Sequence, residues 1–321
     1  MRKILLLIIV PFILNGQNKK EIFTMFYNVE NFFDTINDIS TNDDEFLPFS
    51  KKEWNTKKYN QKIKKLTKVF SSINNGKKPN IIGLCEVENK DVIKDLLKDP
   101  FFKKHNYSII HQNSPDSRGI DCALLFDDNF ELIDYDFIEI KIPQAKRPTR
   151  DIVYAKLKIK NEIINIFVNH WSSRWGGQKE TNHKRVFTAQ VLRKYIDDNI
   201  NKNEHIIIMG DLNDYPSNQS IQDVLVTEDL TNLMTDLEGN QKGSYNYKGT
   251  WNFIDHIIVS NTFLHQNSNL QLNKYSAYKE KWMLYTNKKG EKYPSRTYSG
   301  NKWYGGFSDH LPIFCTFNLI R

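Results

Sequence analysis

The chain has 321 residues, of which 39% are hydrophobic and 13% aromatic, and it carries a formal net charge of +7. That supply of core residues excludes a disordered chain, and the length suits one large α/β domain or two small ones. Lys and Arg are spread along the sequence rather than blocked, so the mild basicity tolerates a polyanionic partner without specifying one.

At the N-terminus, Arg2 and Lys3 precede an apolar run from Ile4 to Leu14, followed by Asn15-Gly16-Gln17. A bilayer span needs about 20 apolar residues, so this run is too short to cross. The positive start, short apolar centre and small residue predict a secretory signal peptide over 1–16, cut after Gly16, and a secreted or periplasmic protein. Removing Arg2 and Lys3 takes the net charge from +7 to +5. No Cys lies near the cut, so a lipid anchor has no support, and no stable membrane anchor or protein partner is inferred. Cys85, Cys122 and Cys315 each sit in an apolar, strand-like run and read as small core residues rather than a disulfide framework.

Strand-like runs then follow in order: "EIFTMFYNV" (21–29), "NIIGLCEV" (80–87), "DCALLFD" (121–127), "IVYAKLKI" (152–159), "IINIFVNH" (163–170), "HIIIMGD" (205–211), "FIDHIIVS" (253–260) and "LPIFCTFNL" (311–319). Between the first two, Tyr59, Ile63, Leu66, Phe70 and Ile73 recur at helical spacing and predict a helix from about 52 to 75. Val186, Ala189, Leu192 and Ile196 predict a second over about 183 to 200. Short links after "DCALLFD" and after "IVYAKLKI" predict antiparallel hairpins, whereas the helices imply crossovers. This mixture makes an α+β sandwich, expected as one domain from about 20 to 321 with a long polar and aromatic loop near 275 to 308.

One kind of chemistry recurs beside the apolar runs. "FYNVEN" offers Asn28 and Glu30, "GLCEVEN" offers Glu86 and Glu88, and "FVNHWSSRWGG" offers His170. "MGDLND" offers Asp211 and Asn213, "WNFIDH" offers Asp255, and "GFSDHLP" offers Asp309 and His310. A single strand-terminal Asp or Asn is more often a turn former than a ligand. Six such sites, two with a named His and five with carboxylates, are harder to explain as independent turns. Hard cations such as Mg²⁺ take oxygen ligands from one or two carboxylates and leave room for water and phosphate. The cysteines lack a C-x-x-C partner and the histidines an H-E-x-x-H pattern, which argues against zinc. With no Walker loop, Rossmann fingerprint or G-x-S-x-G elbow, the chemistry left is metal-assisted hydrolysis with water as nucleophile.

The ordered set "NVEN", "CEVEN", "NHWSSR", "GDLND", "IDHI" and "SDHLP" resembles the endonuclease/exonuclease/phosphatase superfamily, over about residues 24 to 317. "RGIDCALLFD" and "NHWSSRWGG" further resemble its secreted bacterial members. The resemblance implies a four-layer, deoxyribonuclease I-like sandwich: two mainly antiparallel sheets packed face to face, helices outside, and the site at one end. It implies that Asn28 and Glu86 hold a divalent metal with Asp309 near it, Mg²⁺ first and Mn²⁺ or Ca²⁺ as alternatives. It also implies that His310 and Asp255 form a His–carboxylate pair, that Asp211 and Asn213 position water and phosphate, and that His170 donates to the phosphate. Asp211 and His310 both remain candidates for the general base. Arg118 and Arg174 are candidate substrate-phosphate contacts, and Asp121 is a candidate to orient His170. Strand alternation leaves Glu30 and Glu88 outside the set, and Asp214 reads as a turn residue before Tyr215-Pro216.

Secretion and charge favour a nuclease acting on DNA or RNA. The aromatic and basic stretch "YPSRTYSGNKWYGGF" (293–307) suits stacked bases and phosphates. It equally suits a lipid headgroup or sugar phosphate, so a phospholipid or sphingomyelin phosphodiesterase and a small phosphomonoesterase stay open. A non-catalytic binding module ranks last, because every core position holds a suitable residue.

Overall fold

The computed structural model describes residues 19–103, 105–239 and 242–320, so the expected signal peptide over 1–16 lies outside the described residues. Strand β1 (Lys20–Phe32) leads through helix α1 (Thr56–Phe70) to β2 (Ile81–Val87), which lies parallel to it. Helix α2 (Lys90–Leu97), β3 (Tyr107–His111) and β4 (Asp121–Asp127) follow, and β4 pairs antiparallel with both β2 and β3. The next segment repeats the plan. Strands β5 (Glu131–Ile138), β6 (Ile152–Ile159) and β7 (Glu162–His170) form an antiparallel meander. Helix α3 (Gln178–Asn199) then crosses over so that β8 (His205–Asp211) lies parallel to β7.

Beyond β8 come β9 (Leu230–Asn232), the small hairpin of β10 (Tyr245–Tyr247) and β11 (Thr250–Asn252), then β12 (Asp255–Ser260) and β13 (Leu270–Ala277). Two short ladders, β14 (Leu284–Thr286) with β15 (Lys292–Pro294) and β16 (Tyr298–Ser299) with β17 (Lys302–Trp303), precede β18 (Ile313–Leu319).

The large sheets have the orders β13-β18-β1-β2-β4-β3 and β5-β6-β7-β8-β12-β9, each antiparallel except for its central pair. The facing sheets enclose an apolar layer that includes Phe26, Ile81, Leu124, Val168, Ile207, Met209 and Ile257. Contact there is close: a Cβ on Gly83 of β2 would meet Met209 Sδ of β8 at 2.5 Å. On the outer faces, α1 and α2 cover Phe23, Met25 and Tyr27 of β1, and α3 covers Phe167, Ile206 and Ile208. Central strands buried on both faces read as continuous apolar runs, which is why β8 is "HIIIMGD". The result is the four-layer α+β sandwich of the deoxyribonuclease I type.

Several local expectations change. Strands β4 and β5 do not form a hairpin, because Asp127–Asn129 is a corner that carries the chain from one sheet to the other. Asp127 fixes that corner by accepting from Asn80 Nδ2 (2.7 Å) and the Asn129 N–H (3.1 Å). Helix α1 is shorter than its apolar stripe, starting where the Asn55 side chain accepts from the Lys58 N–H. The expected long loop near 275 to 308 contains β14 to β17. Among the described residues, no helix is long and apolar enough to cross a membrane.

Candidate active site

The central strands β1, β2, β7 and β8 carry polar residues at or near their C-terminal ends, at the same edge of the sandwich. Strand β12 runs antiparallel to β8 and β18 antiparallel to β1, so they contribute from their starts. His170 and Asp211 are register partners, as are Asp211 and Asp255. Backbone geometry then aims the side chains. Glu86 has φ +62° where the β2 register shifts, and Asn213 has φ +53°. The bulge at Glu86 re-aims its side chain at a backbone cost of about 1–3 kcal/mol, while Asn213, in the loop past β8, takes the left-handed turn that Asn tolerates.

The cluster is tightly connected. Asn28, fully buried, donates through Nδ2 to Asp211 Oδ2 (3.1 Å) and Glu86 Oε1 (3.3 Å). Glu86 Oε2 accepts the Asn31 N–H at 2.9 Å. His310 Nδ1 donates to Asp255 Oδ2 at 2.8 Å, and its Nε2 lies 3.6 Å from Asp211 Oδ2. His170 Nε2 lies 3.7 Å from the same Asp211 oxygen and 4.0 Å from Glu86 Oε1. Ser308 bonds the Asn28 carbonyl through Oγ (2.7 Å) and accepts the His310 N–H (3.0 Å), tying the β18 approach to β1.

These contacts set the charges. Burial alone would push His310 down, but the Asp255 and Asp211 carboxylates outweigh it and hold the imidazole well above its ordinary value. His170 is held well below its ordinary value by burial first, then by Arg150 and Arg118. Burial lifts Asp211 to about 7, with Asp255 and Glu86 adding to the lift against the opposing pull of His310.

Six of the expected residues, Asn28, Glu86, His170, Asp211, Asp255 and His310, therefore meet in one cleft. Asn213 adjoins it, donating from its N–H to Asp211 Oδ1 (3.0 Å) and from Nδ2 to the Trp171 carbonyl (3.1 Å). Asp309 bonds Arg296 Nη2 through Oδ2 (2.8 Å), leaving Oδ1 without a partner among the described residues. Arg118 lies half-exposed against Asp116 and lines the neighbouring cavity.

Other expectations do not hold in this geometry. Arg174 braces the loop after β8 instead of facing a substrate. Its Nε bonds the Asn213 carbonyl (2.8 Å), its Nη2 bonds Asp214 (2.9 Å) and Asn218, and it stacks on Tyr215. Asp214 is more than a turn residue: it is fully buried and also pairs with Arg185 Nε at 2.8 Å. Asp121 accepts from Ser114 and lies 4.0 Å from His111, so it does not orient His170, whose Nδ1 has no hydrogen-bond partner among the described residues.

Sequence reasoning missed a supporting ring. Glu30 belongs beside the cleft, because positive φ at Glu30 (+51°) and Asn31 (+49°) breaks the alternation that would have turned it away. It accepts the Thr297 N–H (2.6 Å) and meets Arg296 Nε at 3.4 Å, and burial lifts its carboxyl to about 7. Lys62 of α1 is buried, bonded to Thr297 Oγ1 and the Phe307 carbonyl, both at 2.7 Å. Arg150 bonds Asp116 (2.9 Å) and the Trp171 carbonyl (2.8 Å), which places a fixed cation near His170. Lys62 left a trace in the sequence, since it sits between Tyr59 and Leu66 on the apolar stripe; Arg150 left none.

A divalent cation fits this donor set. Glu86 Oε1 and Asp211 Oδ2 both lie against Asn28, and Asp255 Oδ1 is buried without a hydrogen-bond partner, so oxygen donors suited to a hard cation gather here; His310, protonated and bonded to Asp255, is not one of the donors.

The family model described as "Endonuclease/Exonuclease/phosphatase family" matches residues 23–319. Among solved structures, that of Danio rerio TDP2 complexed with single strand DNA product superposes with a TM-score of 0.58 at 12% identity, covering 93% of this chain and 99% of that one. A mannosyl-6-phosphatase from Bacteroides thetaiotaomicron gives a TM-score of 0.58 at 16% identity, covering 92% and 99%. The human Nocturnin catalytic domain with bound sulfate gives 0.59 at 15% identity, covering 94% and 96%. No curated protein sequence matches the chain.

Proposed function

The chain belongs to the Endonuclease/Exonuclease/phosphatase family, whose members are metal-dependent phosphoester hydrolases, and from that premise we propose a secreted, Mg²⁺-dependent nuclease that cleaves phosphodiester bonds in DNA or RNA with water as nucleophile. The observation that carries this reading is the division of charge across the cleft. Carboxylates gather around His310, while Arg118 and Arg150 hold the His170 side positive. A phosphodiester needs both, a proton acceptor for water on one side and cationic donors for its non-bridging oxygens on the other.

Charge also separates the two candidate bases. His310 is held protonated, so it donates to a phosphate oxygen rather than accepting from water. Asp211, lifted to about 7, is ionised over a useful range and stays basic enough to take the water proton. Asp255 fixes the His310 ring by its 2.8 Å bond, and neutral His170 donates from Nε2. Asn28 and Glu86, with Asp309 through its spare oxygen, would hold the cation. Once bound, that ion would polarise a phosphoryl oxygen and stabilise the departing oxyanion.

A second reading has its own support. A cavity of about 640 Å³ beside the cleft is lined by Glu30, Asp44 and Glu45, by Lys52, Arg118 and Arg296, and by Asn31, Asn42, Phe46 and Tyr298. Carboxylates, amides and ring faces suit a polyhydroxylated leaving group, and one structural neighbour is named a mannosyl-6-phosphatase. A substrate panel separates the readings: plasmid, single-stranded DNA, RNA, sugar phosphates and sphingomyelin, each with Mg²⁺, Mn²⁺, Ca²⁺ or chelator. Chelator-sensitive cleavage of nucleic acid supports the nuclease. Turnover of sugar phosphates alone overturns it. Sequencing the N-terminus of exported protein tests the cut after Gly16.

A further inference from the structure

A second groove opens beside the His170 side of the cleft. Its walls come from the turn before β4, the segment leading into β6 and the start of α3. Arg118, Arg147, Arg150 and Lys184 line it, with Ser173 and Trp175 along one wall. The residues connect to the cleft directly: Ser173 and Trp175 follow His170 in the chain, and Arg150 holds the Trp171 carbonyl.

Three features distinguish this groove from ordinary basic surface. Arg118 and Arg150 share Asp116, so two cations stand over one carboxylate. Arg147 and Lys184 have no ion-pair or hydrogen-bond partner for their side-chain nitrogens among the described residues. Trp175 is 89% exposed beside these cations, so its ring face is open for a base to stack on. Unneutralised cations flanking an exposed ring form the pattern that binds a single strand: cations track phosphates while a base stacks on the ring. The cavity beside Glu30 is mixed in charge, with Glu30, Asp44 and Glu45 set against Lys52, Arg118 and Arg296, so it offers a running polyanion no net cationic track.

We infer that this groove is the subsite for the single-stranded polynucleotide flanking the scissile phosphate, with Arg147 and Lys184 on the next phosphates and Trp175 stacked on a base. The inference rests on the nuclease reading and extends it. The scissile phosphate sits between His170 and His310, and the strand leaves past Ser173 along the base of α3. Selectivity for single strands follows, because a paired base presents no free face to Trp175.

The test uses the full chain with Mg²⁺ and two substrates: a fluorescein-labelled oligothymidylate, and bis(4-nitrophenyl) phosphate, which is too short to enter the groove. In Arg147→Ala/Lys184→Ala, KM for the oligonucleotide rises about tenfold or more, and the slope of log affinity against log salt flattens by about 0.7 per lost contact. Turnover of the small diester stays within about twofold of the unmodified protein, as expected of residues outside the catalytic cluster. Trp175→Ala raises the oligonucleotide KM by about tenfold and removes the indole quenching on binding, while Trp175→Phe restores most of the affinity. If both substrates are cleaved and the groove variants treat them alike, the groove assignment is overturned and the nuclease reading survives. If the unmodified protein cleaves only the small diester, both fail.

Discussion

The two histidines of the cleft are equally buried, each 6% exposed, yet they stand in opposite fields. His310 faces Asp255, Asp211 and Asp309 and is held charged, whereas His170 faces Arg150 and Arg118 and is held neutral. Burial disfavours charge at both positions, so it cannot account for the difference. The neighbours decide. One fold edge thereby presents an acidic side and a cationic side a few ångströms apart, joined by Asp211, which lies within 3.7 Å of both rings.

Removing the charged side has the largest expected effect. His310→Ala and Asp255→Asn each lower kcat by about 10³-fold or more, and the double variant is no slower than the worse single one, because the pair acts as a unit. Additive losses would break the pairing. His170→Ala costs less, about 10²-fold in kcat with KM little changed, as for the loss of one neutral donor to a transition-state oxygen. A greater loss at His170 than at His310 would invert the comparison.

Next in size is the pH dependence. With Asp211 lifted to about 7 before a cation binds, kcat/KM rises with pH up to about 7 or below, since a bound cation favours the ionised carboxylate, and falls again as His310 loses its proton at higher pH. An activity that falls on crossing neutrality from below would assign the base elsewhere. The smallest effect concerns stability, where His256 provides a reference. It is fully buried on β12 with its Nε2–H donated to the Asp214 carbonyl (2.9 Å) and Nδ1 near Asn232 Nδ2 (3.1 Å), and burial depresses it to about 4. A depressed imidazole contributes stability that is full above about pH 6.5 and lost as pH falls toward about 4, by roughly 3 kcal/mol. His310, raised instead, contributes stability that is full below about pH 6.5 and lost as pH rises through its folded value. Urea midpoints across pH should show His256→Gln weakening the acid dependence and His310→Gln weakening the alkaline one; the same change from both would contradict the assignment.

Much of this was legible in the sequence for a physical reason. Strands buried on both faces, such as β4 and β8, are apolar throughout, and their boundaries are marked by the first residue that must be polar. The cleft edge is where those polar residues collect. What local sequence could not show was which sheet a strand joins: the turn after β4 has ordinary hairpin chemistry but turns a corner between sheets. Nor could it show where the flanking cations go. Arg150 and Arg296 lie in loops without periodicity, whereas Arg174, beside the most informative motif, serves the loop around Asp214. Helix α2, at eight residues, is too short to establish a helical period.

The measurement closest to the central claim is the protonation state of the two rings, read from ¹⁵N histidine resonances of the intact protein near pH 7.5 with Mg²⁺ present. His310 should show both ring nitrogens protonated, and His170 one protonated and one bare. Like charge states at the two positions would contradict the account.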